Sequence, residues 1–127
     1  MKLYIAANER LASALKDALT NYFAEPEVTA TDFVQPYDEQ SERELAAALG
    51  RDLRKNPEEQ FIFLTDAFGS TADNTVRLLL ARSGLAERSV VVTGMNLPLA
   101  IKYYGLKDAF SLATIAEIAG EPQLRVG

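Results

Sequence analysis

Chemistry in this chain has to come from a small set of residues: Asn8, Asp66, Gly69, Ser70, Thr71, Asn74 and Asn96 all fall at or just past the ends of short apolar runs. A carboxamide and a carboxylate at two such ends can share a hydrogen bond. The small-residue turn Gly69-Ser70-Thr71, ahead of a helical stretch, can offer backbone N–H groups to an anion, although Asp66 and Asp73 oppose a phosphate there. What is missing narrows the chemistry further, because the 127 residues include no histidine and no cysteine. Imidazole base catalysis, thiolate nucleophiles, His-containing metal sites and disulfides are therefore excluded. A metal site would have to be built from oxygen ligands; no metal and no cofactor is expected. The same residues also have a plainer reading. Asn and Asp at strand-to-helix turns are favoured as helix caps, and Asn96 with Pro98 looks like a cap followed by a first-turn proline. Tyr103 and Tyr104 read as core or interface aromatics.

The elements that must position these residues alternate along the chain. Leu3 to Ala7 suits a buried parallel strand. Apolar residues at Leu11, Ala14, Leu15, Ala18, Leu19 and Tyr22 predict a helix over Glu9 to Phe23. Glu27 to Phe33 is a second strand, followed by a loop through Pro36 and Asp38. A helix is expected from Ser41, where Glu44 has capping-box spacing, to a stop at Pro57. Phe61 to Leu64, ending at Thr65 and Asp66, predicts a central strand. Ala72 to Ser83 reads as a helix capped by Gly84, Ser89 to Thr93 as a fourth strand, and Leu97 to Tyr104 and Ala109 to Ala119 as two further helices. Gln123 to Val126 is expected to form a short C-terminal edge strand.

Strands alternating with helices predict an α/β fold: a three-layer, mostly parallel, flavodoxin-like sheet of order 2-1-3-4 with helices on both faces. Its ligand crevice would lie at the carboxyl ends of strands one and three, where the strand order reverses. The loops Ala7 to Glu9, Asp66 to Thr71 and Gly94 to Pro98 would converge there.

Size and charge bound the rest. With 48% hydrophobic residues the chain supports one ordinary core, so a single domain over residues 1–127 is expected. The formal charge of -5 gives no electrostatic reason to bind nucleic acid. The apolar run after Lys2 is too short for a signal peptide, and no stretch approaches the ~20 apolar residues of a membrane helix. No direct membrane insertion and a cytoplasmic location are expected.

At the strand ends the sequence resembles the enzyme IIA domains of the mannose-family sugar phosphotransferase system, from Met1 to about Tyr104. In that family the first strand ends in Ser-His-Gly; here Ala7-Asn8-Glu9 stands in its place. Its third strand ends in Asp followed by Gly-Gly-Ser/Thr-Pro-x-Asn; here Asp66 is followed by Gly69-Ser70-Thr71-Ala72-Asp73-Asn74, in which Gly69, Thr71 and Asn74 match while Ser70 replaces the second Gly and Ala72 the Pro. Val91-Val92-Thr93-Gly94-Met95-Asn96-Leu97-Pro98 is close to the family's Val-x-Gly-Val-Asn-Leu-Pro. The resemblance implies that the phospho-acceptor histidine falls on Asn8 and the Asp that orients it on Asp66. It also implies a homodimer clasped through the C-terminal segment.

A carboxamide is neither basic nor nucleophilic, so Asn8 removes phosphocarrier chemistry, and Glu9 adds repulsion toward a phosphoryl group. The expectation is a degenerate enzyme IIA-like protein, a binding or regulatory component of sugar transport with no catalytic residue and no assigned enzymatic step. Its partners would be a IIB-type protein or the phosphocarrier, and Asp66 would accept a hydrogen bond from the Asn8 amide. Two alternatives stay open. One is a receiver-like domain phosphorylated on Asp66; the other is a structural partner subunit.

Overall fold

A strand that is apolar at nearly every position has to be covered on both faces, and residue parity along the first strand shows how this chain achieves it. The computed structural model describes residues 1–120. Strand β1 (Lys2–Asn8) lies between β2 (Val28–Phe33) and β3 (Phe61–Thr65), and β4 (Ser89–Val92) flanks β3. All pairings are parallel, and the order is β2-β1-β3-β4. Between and after the strands run helices α1 (Leu11–Leu19), α2 (Gln40–Lys55), α3 (Thr71–Arg82), α4 (Leu97–Leu106) and α5 (Leu112–Gly120).

Leu3, Ile5 and Ala7 of β1 pack with Leu15 and Leu19 of α1, Ala100 and Tyr103 of α4, and Ile115 of α5. Tyr4 and Ala6 point the other way, into a cluster with Leu45 and Leu49 of α2 and Val76 and Leu80 of α3. This is the expected three-layer α/β architecture of flavodoxin-like type, with helices on both faces. Alternation also fixes direction for the polar residues at strand ends. Asn8 shares the parity of Tyr4 and Ala6, so it turns toward α3. Thr65 shares that of Phe61 and Phe63 and does the same. Asp32 follows Val28 and Ala30 toward α1.

Several element ends differ from the expectation, each for a local reason. The first helix is shorter than Glu9 to Phe23, because Glu9 has a left-handed backbone (φ 56°) and turns from Thr20 to Tyr22 close its other end. α2 starts at Gln40 without the Ser41–Glu44 capping box. The Ser41 hydroxyl donates instead to the Asp32 carbonyl at 2.8 Å, and Asp38 accepts the Gln40 N–H at 3.0 Å. α5 begins at Leu112 rather than Ala109, where the Ser111 hydroxyl oxygen accepts the Thr114 N–H. Gly84 does close α3: its φ of 69° lets the Leu85 N–H reach the Leu80 carbonyl at 2.9 Å, a Schellman ending. Tyr103 is fully buried in the core, while Tyr104 packs on Phe23 with ring centroids 4.4 Å apart. The strand expected at Gln123 to Val126 lies outside the described residues. Among the described residues no helix is long and apolar enough to cross a membrane.

Candidate functional site at the carboxyl ends of the strands

The crevice at the β1–β3 switch point is built from hydrogen bonds that fasten strand ends to helix beginnings. A helix leaves its first backbone N–H groups without partners inside the helix, and here neighbouring strands supply them. The Asn8 side-chain oxygen accepts the N–H of Ala72, the second residue of α3, at 3.2 Å. Asp32, at the end of β2, does the same for α1: its carboxylate accepts the Ser13 N–H at 3.0 Å and the Ser13 hydroxyl at 2.6 Å. α1 has no side-chain cap from its own preceding residue Arg10. α3 does have one, since the Ser70 hydroxyl oxygen accepts the Asp73 N–H at 3.1 Å.

Asp66 is the other hub. Its Oδ2 accepts the backbone N–H of Asn8 at 3.0 Å, and its Oδ1 accepts the Ala67 N–H at 2.9 Å and the Ser70 hydroxyl at 2.6 Å. Asn8 and Asp66 thus meet as expected, but through the main-chain amide; the carboxamide of Asn8 is turned to α3. Both carboxylate oxygens of Asp66 are engaged in holding the loop.

Gly69 (φ 80°) takes a left-handed turn that glycine adopts without steric cost. Its carbonyl accepts the Asn74 side-chain amide at 3.1 Å. Thr71 opens α3, and its carbonyl accepts the Thr75 hydroxyl at 2.7 Å. Asn96 caps α4 by accepting the Leu99 N–H at 2.9 Å, with Pro98 in the first turn as expected. The structure therefore brings Asn8, Asp66, Gly69, Ser70 and Asn74 into one hydrogen-bonded unit, with Thr71 next to it at the start of α3. No hydrogen bond among the described residues joins Asn96 to it; the loop that carries Asn96 is tied to β3 by the Met95 N–H on the Thr65 carbonyl at 3.1 Å.

The roles of two residues escaped the sequence reading. Asp73 is fully buried, yet charged groups and donors surround it: the Thr65 hydroxyl at 2.7 Å, the Gly69 N–H at 3.0 Å and Arg77 Nε at 3.0 Å. Burial pushes its carboxyl up. The Gly69 N–H, the Thr65 hydroxyl and Arg77 together outweigh that and hold it below the usual carboxylate range. The Ser70-Thr71-Ala72-Asp73 spacing is a capping-box signal that pointed to this residue. Its side chain reaches Gly69, one residue further back than the usual box partner. Phe68 is the second. It is 82% exposed at the crest of the β3–α3 loop, with the Arg77 guanidinium 5.4 Å from its ring centroid. Nothing in the spacing of the sequence announces an exposed aromatic.

Chemically the site holds the Asn8 and Asn74 carboxamides, the Asp66 and Asp73 carboxylates and the Ser70 and Thr71 hydroxyls, with no imidazole or thiol. The amide nitrogen of Asn8 has its lone pair delocalised, and each carboxylate oxygen of Asp66 and Asp73 accepts a hydrogen bond, from Asn8, Ala67 and Ser70 on Asp66 and from Thr65, Gly69 and Arg77 on Asp73. Among the described residues no group of three or more His, Cys, Asp or Glu side chains could hold a metal ion.

The family model described as the PTS system fructose IIA component, EIIA-man, matches residues 2–119. The chain belongs to this family. Among solved structures this enzyme IIA chain is similar to the phosphotransferase component EIIA from Streptococcus agalactiae, with a TM-score of 0.72, 18% identity, and 93% of this chain and 87% of that chain covered. It is also similar to the PTS IIA protein associated with the fucose utilization operon of Streptococcus pneumoniae, with a TM-score of 0.65, 18% identity, and coverage of 98% and 92%. A sigma-54 interaction domain protein from Enterococcus faecalis matches with a TM-score of 0.69 at 14% identity, covering 94% and 87%. At these identities the likeness carries the fold. No curated protein sequence matches the chain significantly.

Proposed function

We propose that this chain is a degenerate enzyme IIA, a binding or regulatory component of a sugar phosphotransferase system that does not carry phosphohistidine. One observation carries the reading. The position that ends the first strand, where the family's acceptor is expected, holds Asn8, in a chain without a single histidine. A phosphocarrier needs a nitrogen that attacks and then leaves near neutral pH, and a carboxamide does neither. The side chain has a structural occupation instead, accepting the Ala72 N–H at 3.2 Å. Glu9 beside it puts a carboxylate where an incoming phosphoryl group would be repelled.

What remains is a shaped, acidic surface on an enzyme IIA scaffold, suited to docking on a IIB-type protein or the phosphocarrier in the cytoplasm. Residues 1–127 act as one domain in this reading, and a homodimer belongs to it. A monomeric mass by light scattering at micromolar concentration counts against the dimer. The receiver-like alternative finds less support, because both Asp66 oxygens already accept hydrogen bonds from Asn8, Ala67 and Ser70.

The deciding experiment is intact-mass measurement after incubation with phosphoenolpyruvate and the two general components of the system. The expected result is no added phosphoryl group. A stable gain of one phosphate that disappears in Asp66→Ala overturns the proposal in favour of the receiver reading.

A further inference from the structure

The loop between β3 and α3 spends unusual effort on displaying one aromatic ring. Phe68 is the most exposed large apolar side chain among the described residues, at 82%. The four residues that carry it are fixed from both sides. Asp66 holds the Ala67 N–H and the Ser70 hydroxyl, and Asn74 holds the Gly69 carbonyl. Beneath the ring, Arg77 sits 5.4 Å from the centroid and is itself held by buried Asp73, which Thr65 and the Gly69 N–H fasten in turn. A ring prepared in this way gives up little conformational freedom when a partner covers it, which is the property of an interface anchor.

Resting on the docking reading above, we propose that Phe68 is the anchor with which this chain engages a partner protein bearing an apolar pocket bordered by Lys and Arg. The apolar part follows from Phe68 and from the exposed Leu11, Val34 and Tyr37 on the same end of the sheet. The cationic border follows from charge: the loops at this end carry Glu9, Asp38, Glu39 and Asp66 against Arg10, while the nearby Arg77 and Arg43 are paired with Asp73 and Glu39, so the balance stays acidic and a pocket rimmed by cations complements it.

The test titrates the intact protein by calorimetry with the general phosphocarrier protein and, separately, with a IIB-type subunit. Wild type is expected to bind one of them, more weakly as salt rises. Phe68→Ala should weaken that binding by about tenfold or more, with Phe68→Tyr close to wild type. The urea midpoint of Phe68→Ala should be unchanged, which separates lost docking from lost folding. If Phe68→Ala binds as well as wild type, Phe68 is not the anchor, and the docking reading survives without it. Absence of wild-type binding to either protein overturns the docking reading and this inference together. Affinity indifferent to salt overturns the cationic border. Self-association that Phe68→Ala abolishes makes the occupant a second copy and overturns the assignment to a separate partner.

Discussion

The side-chain oxygen of Asn8 accepts the backbone N–H of Ala72 across 64 residues of sequence, at 3.2 Å. Asn8 thus serves as a helix cap for a different segment of the chain. Removing it should cost stability on the scale of other caps. Asn8→Ala is expected to destabilise by about 1 kcal/mol, read from urea unfolding. A cost near zero would show that solvent satisfies the Ala72 N–H equally well.

Glu9 carries a left-handed backbone with φ 56°, a region that costs a residue with a Cβ roughly 1 kcal/mol. The side chain is exposed. Glu9→Gly should therefore raise the urea midpoint, with a gain of about 0.5–1 kcal/mol after the extra freedom of glycine in the unfolded chain is set against it. A loss of stability would mean that the Glu9 side chain contributes an attraction the structure does not reveal.

The depressed carboxyl of Asp73 has a pH signature. Because the folded-state value is below the ordinary one of about 3.9, the stability this group contributes is fully present above that value. It is lost as pH falls through the folded-state value. Asp73→Asn should cost about 2 kcal/mol at neutral pH, since Arg77, Thr65 and the Gly69 N–H lose a charged acceptor. The gap between variant and wild type should narrow in strong acid. Urea unfolding of both proteins across pH measures it, and a gap independent of pH would rule out ionised Asp73 as the source.

Repair of the acceptor tests the alignment of the first strand end. Asn8→His alone should take little phosphate, because Glu9 repels the donor and its Cβ limits backbone approach. Asn8→His with Glu9→Gly should become measurably phosphorylated, and adding Asp66→Ala should abolish it by freeing the loop that the carboxylate fixes. Circular dichroism checks that every variant is folded. A folded double variant that accepts nothing would mean either that the alignment at Asn8 is wrong or that the docking surface has diverged as well.

Much of this was legible in the chain itself. Apolar runs and helical periodicity gave the order of elements, since burial on both faces forces near-continuous apolar strands and burial on one face forces a stripe. The absence of histidine and cysteine settled which chemistries are excluded, because no arrangement in space can supply a missing functional group. The motif after the third strand placed Asp66, Gly69 and Ser70 in one loop and Thr71 and Asn74 at the start of the helix that follows, and in the structure Ser70 bonds to Asp66 and Asn74 to Gly69.

Direction and partnership were decided only by the tertiary structure. β1 is apolar at almost every position, so its sequence does not say which face meets which helices; once α2 and α3 cover the face of Tyr4 and Ala6, Asn8 must point at α3 rather than cap the helix that follows it. Asp32 reaches α1 for the same reason. Asp73 and Phe68 show the limit from two sides. An acidic residue in a first helical turn looks solvent-facing until the loop folds over it, and an aromatic looks like core until every core position is already filled.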